Sequence, residues 1–288
     1  MLSGAIRPIP NMLPRKLLNE EHEAFRDTVR KFYEKEVVPN IARYEQQQHV
    51  DRDLWNKAGE LGLLCTTISE AYGGSGVDRL YSMILIEEQA YAMDSATGFS
   101  LHSDIVANYI SNFGNEQQKQ SWLPKMASGA CVTAIAMTEP GTGSDLQAVR
   151  TSAVLDGDDY VINGSKIFIT NGYLCDMAIV VCKTGNNEKG SANLSLIMVE
   201  AGRAGFSKGK PLNKIGMKGQ DTCELLFDNV RVPKENLLGM EGMGFMMLMK
   251  ELAWERMLVA IICQAGAEAA FAHTVQYTKD RKAFGKSI

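Results

Sequence analysis

The segment YVINGSKIFITN, Tyr160 to Asn171, decides how the middle of this chain folds. Its Asn163-Gly164 pair stands between runs of β-branched residues, the strongest short-range signal for a β-hairpin. Further strands are expected at Met177 to Lys183, Leu194 to Val199 and Thr222 to Phe227. Upstream the pattern is helical. Asn19 can cap, Glu20 and Glu21 suit a helix N-terminus, and Phe25, Val29, Phe32, Tyr33 and Val37 recur at helical spacing until Pro39, which is expected to stop the run. Asp53 to Leu61, ended by Gly62, is a second helix, and Asp78 to Ala92, Ser100 to Phe113 and Asn115 to Met126 follow. Downstream of Pro233 a helix is expected from about Phe245 to about Arg281. At ~1.5 Å per residue it spans roughly 55 Å and needs partners to cover it. Either subunits supply that cover or the chain is a fragment.

The expected class is therefore α+β, with a possible leader at 1–18, an N-terminal helical domain at 19–130, a central β domain at 131–240 and the start of a C-terminal helical domain at 241–288. The 288 residues, 45% hydrophobic and 22% charged, suffice for sizeable cores. Thirty basic against 34 acidic residues leave a net charge of −4, which offers no general footprint for nucleic acid or an anionic membrane. Apolar runs such as Met177 to Val181 are strand-length, short of the ~20 residues a membrane span needs, so no transmembrane segment is expected. Six cysteines without a CxxC pair and four histidines without ligand spacing suggest no metal site and a reduced compartment. Met1 to Leu18 carries Arg7, Arg15 and Lys16 without an acid, a faint transit-segment pattern.

Three places bear chemistry. Thr138 to Asp145 (TEPGTGSD) follows a strand with a glycine loop whose free N–H groups and hydroxyls fit a phosphate or a heteroaromatic edge, or a plain surface turn. Gly141-x-Gly143 lacks the third glycine and the following helix of a dinucleotide fingerprint. Phe168 and Thr170 share a face by period-2 alternation, so an aromatic ring and a hydroxyl can meet one flat ligand; Phe168 equally fits ordinary core. Glu251 and Glu255 share a helix face among Met246, Met247, Met249, Leu252, Trp254, Met257 and Leu258. Desolvation there would raise a carboxyl pKa toward that of a general base, although solvated helix glutamates give the same spacing.

Together with Phe113 to Gln117 (FGNEQ), Leu123-Pro124, Ala136 to Leu146 (AMTEPGTGSDL), Lys166 to Gly172 (KIFITNG), the strand from Asp221 to Val232 and Arg281-Lys282-x-Phe284-Gly285, these stretches resemble the acyl-CoA dehydrogenase family, in wording nearest its long-chain members. The resemblance implies a helical domain, a central β-barrel-like domain and a C-terminal helical bundle, incomplete in this chain, with FAD between the last two. It implies that Ile135, Met137, Thr138, Gly143 and Ser144 line the flavin. Phe168 and Ile169 would lie at its ring, Thr170 near N5, and Arg281 and Phe284 at the FAD of a neighbouring subunit. Ser144, Ser191, Met246, Trp254 and Arg256 would touch substrate. Glu255, directly before Arg256, is similar to the helix-borne catalytic glutamate of long-chain and isovaleryl members. The implied reaction is α,β-dehydrogenation of a fatty acyl-CoA in β-oxidation, with electron transfer flavoprotein as partner, a homotetramer as assembly and the mitochondrial matrix as location. A non-catalytic acyl-CoA-binding or assembly fragment and an acyl-CoA oxidase are the alternatives.

Overall fold

The computed structural model describes residues 16–185 and 193–288; the first 15 residues of the possible leader at 1–18, and Ser191, lie outside them. Helix α1 (Glu20–Phe32) begins with a reciprocal cap: the Asn19 side chain accepts from the His22 N–H, and His22 Nδ1 accepts from the Asn19 N–H. Pro39 does not stop the run. The chain passes through a π-helical turn at Tyr33–Val37 and a 3₁₀ turn at Val38–Asn40 into α2 (Ile41–Gln47). A proline in the first turn of a new segment forfeits no helical hydrogen bond. Helices α3 (Arg52–Glu60), α4 (Arg79–Tyr91), α5 (Ala107–Phe113) and α6 (Glu116–Ala127) follow, α5 being preceded by a π-helical stretch at Leu101–Val106.

The strands of the main sheet are β1 (Thr133–Ala136), β2 (Ser152–Asp156), β3 (Asp159–Thr170), β4 (Met177–Thr184), β5 (Leu194–Glu200), β6 (Phe206–Lys208), β7 (Thr222–Pro233) and β8 (Leu237–Leu238). They form one mixed sheet in the order β6-β7-β3-β2-β4-β5-β8, with β1 parallel to β4. Asn163-Gly164 is not a hairpin turn. It lies inside β3, where the pairing with β7 shifts by a residue between Ile162 and Gly164. Gly164 holds φ at 149°, and a Cβ there would meet Thr151 Oγ1 at 2.5 Å. The dipeptide thus supplies a bulge and a close approach, two other uses of glycine in a strand. The hairpin closes at Asp156↔Asp159, with Gly157 at φ 64°.

Strands β4 and β5 are buried on both faces, which explains their unbroken apolar runs. Ala178, Val180, Cys182, Ile197 and Val199 join the core inside the β domain, against Ile162, Leu225 and Val230. The alternate residues Met177, Ile179, Val181, Leu196 and Met198 join a second core with Tyr109, Ile110, Leu123 and Met126 of the helices. A third core fills the N-terminal helices around Trp55, Tyr33 and Phe99.

Helix α7 (Gly244–Asp280) packs along α4, where Tyr91 Oη donates to Glu268 at 2.8 Å. By length and composition it would be able to cross a membrane, so the expectation that every apolar stretch is too short fails for this helix. Its charges are spaced widely enough to leave an apolar window between them. Met257, Val259, Phe271 and Tyr277 on it are more than half exposed.

Candidate active site

Helix α5 carries two side chains that reach α7. Tyr109 Oη donates to Glu255 Oε1 and, one turn on, Asn112 Nδ2 donates to Glu251 Oε1, both at 2.9 Å. Tyr109 is fully buried, Glu251 nearly so and Glu255 half-buried. Burial pushes the Glu255 carboxyl above the ordinary value, and the neighbouring Glu251 charge adds to this; the Tyr109 hydrogen bond and Arg256 oppose it. Tyr109 belongs to the core that also holds Ile135, with Leu101, Ile105, Met137, Met243 and Phe245 packed partly buried around it. The carboxylate is thus joined through Tyr109 to a core that extends to Ile135 and Met137 at the end of β1.

At that end the chain leaves β1 through Met137 and Thr138, both partly exposed. The loop is tied down by a buried ion pair that neither period nor motif signals. Lys166 is 0% exposed, and its Nζ bonds Glu139 Oε1 and the Met137 carbonyl, each at 2.9 Å. Glu139 also accepts from the N–H groups of Arg150 (2.7 Å) and Thr151 (2.9 Å). Burial alone would raise the Glu139 carboxyl, but these donors together with Lys166 hold it below the usual range. Burial draws the Lys166 ammonium down. The Ile167 N–H donates to the Thr138 carbonyl at 2.9 Å, joining loop to strand. Neither Gly141 nor Gly143 has positive φ, and a Cβ at either would meet open space, so packing within the chain does not account for them.

A bulge between Lys166 and Ile169 of β3 puts Phe168 in the left-handed region, at φ 61°, and leaves its ring 63% exposed. For a bulky side chain this backbone is strained, and such strain collects at ligand sites. Ile169 points into the β core, so only its backbone can face a ligand. Thr170, half-buried, pairs with Thr222. Asn171, also left-handed at φ 60°, is buried and donates to the carbonyls of Gly98 (3.0 Å) and Thr133 (3.3 Å) while accepting from Gln220 (3.1 Å). An exposed aromatic face, a hydroxyl two residues on and an open glycine turn fit a flat heteroaromatic group with a phosphate tail, which is what FAD presents.

Other expected site residues lie outside the Tyr109–Glu255 contact. Met246 lies nine residues before Glu255, two and a half helical turns at about 3.6 residues each, and so on the opposite side of α7. Trp254 lies under the Arg79 guanidinium, 4.3 Å from the ring centroid, which occupies one face of the indole. Arg256 and Ser144 are exposed, and the Ile135 side chain is in the core. Arg281 and Phe284 are exposed beyond α7, about 39 Å along the helix from Glu255 at ~1.5 Å per residue, so within one chain they do not join the site. A cleft of about 250 Å³ is lined by Glu139, Pro140, Gly141, Arg150, Thr151, Gly164 and Ser165, touching only the outer rim of the glycine loop. No group of histidine, cysteine and acidic residues among the described residues is arranged to hold a metal.

Comparison with known proteins gives the geometry its context. Residues 19–130 match the acyl-CoA dehydrogenase N-terminal domain, 134–230 its middle domain and 242–288 its C-terminal domain. The chain is 50% identical over 275 residues to the long-chain specific acyl-CoA dehydrogenase, mitochondrial, of Sus scrofa, covering 95% of this chain and 64% of that protein's length. It superimposes on the acyl-CoA dehydrogenase of Geobacillus kaustophilus with a TM-score of 0.93 and 47% identity, covering 95% of this chain and 72% of that one. An acyl-CoA dehydrogenase complexed with FAD from Bacillus anthracis gives a TM-score of 0.88 and 33% identity over 96% of this chain and 48% of that one. Three successive domain matches, and likeness at this identity across most of a solved relative, establish that the chain belongs to the acyl-CoA dehydrogenase family.

Proposed function

We propose that this chain carries the proton-abstracting and flavin-facing parts of a fatty acyl-CoA dehydrogenase that forms a trans-2-enoyl-CoA, with FAD as cofactor. The observation that carries the reading is the half-buried Glu255 carboxyl, held by Tyr109 of the core against which Met137 packs. Glu255 takes the α proton: a carboxyl raised by burial is a better match to a weakly acidic C–H than a solvated one. FAD, when bound, supplies the two-electron acceptor for the β hydrogen. Phe168 would cover the ring, Thr170 would offer it a hydroxyl, and Thr138 with the open backbone of Gly141 and Gly143 would receive its polar parts. The apolar side chains of Leu101, Ile105 and Met137 exclude water from the base and receive the acyl chain.

Electron transfer flavoprotein is the proposed electron acceptor and a homotetramer the proposed assembly, both on family resemblance. The mitochondrial names of relatives support the mitochondrial matrix and β-oxidation as the setting. The test is Glu255→Gln in the FAD-reconstituted chain, with palmitoyl-CoA as probe. Binding is expected to persist while loss of the flavin's visible absorbance on reduction disappears. Reduction at the parent rate would remove Glu255 as base.

A further inference from the structure

Helices α5 and α7 meet through two polar rungs, Tyr109 to Glu255 and Asn112 to Glu251. The order along α5 is reversed along α7, as antiparallel helices require, and each donor serves one acid. Without the second rung, two carboxylates one helical turn apart would compete for the same buried hydroxyl. Tyr109 itself cannot drift, because it is fully buried and packs against Phe113, with ring centroids 6.1 Å apart.

We propose that Tyr109 is a positioning residue for the base: its hydroxyl holds Glu255 in one orientation and stabilises its ionised form, while Asn112 ties Glu251 apart. The inference rests on Glu255 being the base. The groups acting on Glu255 come from two elements. Helix α7 supplies Glu251, which resists ionisation, and Arg256, which favours it; α5 supplies Tyr109. From α4, Arg79 is committed to the Trp254 ring. From the π-helical stretch, Asp104 is bonded to Ser82 at 2.5 Å and pushed up to about 7 by burial. Lys250 lies over Phe113, 5.3 Å from its centroid. Tyr109 is thus the sole neutral donor on the carboxylate among the hydrogen bonds of the described residues. Burial and the two acids push its own pKa well up, so it stays a donor.

The test pairs Tyr109→Phe with 3,5-difluorotyrosine at 109, a more acidic phenol and hence a stronger donor. The Glu255 carboxyl is titrated by ¹³C NMR in the chain without cofactor, its signal assigned as the one lost in Glu255→Gln. Removing one hydrogen bond to a charged group is expected to shift the titration upward by about one pH unit; the fluorinated ring is expected to shift it downward. In the FAD-reconstituted chain, the pH profile of flavin reduction by palmitoyl-CoA should follow, with Tyr109→Phe more than tenfold slower on the acid limb and also slowed, by a smaller factor, at the alkaline plateau where the base is ionised but no longer held. A merely structural tyrosine would alter thermal stability without moving the titration in opposite directions. If Tyr109→Phe fails to fold, the fluorinated variant, which keeps ring and hydroxyl, carries the test alone. An unmoved titration with Glu255→Gln inactive would overturn the role of Tyr109 and leave the base in place. Full activity of Glu255→Gln would overturn both.

Discussion

Replacing Lys166 by methionine keeps an apolar stem and deletes a buried charge. In the folded protein Nζ makes two 2.9 Å bonds, to Glu139 and to the Met137 carbonyl, with Lys166 0% and Glu139 6% exposed. Breaking a buried pair by removing one partner costs about 3–5 kcal/mol, because the remaining charge is stranded. Here the N–H groups of Arg150 and Thr151 stay on Glu139, so the lower end, about 3 kcal/mol, is expected. Glu139→Gln alone strands the ammonium and should cost a similar amount. The double variant strands neither and should fall about 2 kcal/mol short of the sum of the singles. Urea denaturation of the four proteins measures this coupling. Flavin fluorescence on the same set measures FAD affinity, which should fall with each single variant because the pair fixes the loop that follows β1. Effects that add to within about 0.5 kcal/mol, or a Lys166→Met cost below about 1 kcal/mol, would refute the clamp.

His102 bonds the Met126 carbonyl at 3.1 Å through Nε2 and accepts from the Thr133 N–H at 3.2 Å, and burial lowers its pKa from 6.5 to about 4. A depressed histidine contributes stability in full above pH 6.5 that is lost as pH falls toward 4. At pH 5 the unfolded chain gains about 2 kcal/mol from protonation. Thermal denaturation should therefore show the advantage of the parent over His102→Gln shrinking by about that amount between pH 8 and pH 5; a constant gap would mean the ring is not held neutral. Phe168→Gly removes both an exposed ring and a left-handed strain of about 1 kcal/mol, so stability should stay within about 1 kcal/mol of the parent while FAD affinity drops about tenfold. Unchanged affinity in an equilibrium titration would separate Phe168 from the flavin. Should the Glu255→Gln chain stay unreduced while the parent releases peroxide at a rate matching turnover, the oxidase alternative would replace the dehydrogenase.

Much of the architecture follows from letters alone, because the signals for α4, α6, β4 and β5 are local: caps at Asp78 and Asn115, and apolar runs bounded by loops. The Asn163-Gly164 reading went astray because a bulge and a hairpin turn reward the same residues; only β7, about 65 positions on, decides between them. Pro39 misled for a related reason, since a proline that would break one helix suits the opening of the next. At the site, Glu255 stood out through its place before Arg256 in a family pattern, whereas Tyr109 did not, its partner being 146 residues away. Lys166 looks like an ordinary polar position beside Ile167, and nothing short of the fold shows that a residue 27 positions earlier neutralises it. Met246 enters through the family pattern, and the helical period puts it on the side of α7 away from Glu255.

Strands β4 and β5 serve as a party wall between two rooms. Val180 faces one and Val181 the other, so neighbouring letters answer to different tenants, and a loosening on either side is felt across the partition. Met137 of the loop after β1 and Met247 and Leu248 of α7 meet the same side of that wall. That loop and the first turns of α7 should consequently melt as one unit.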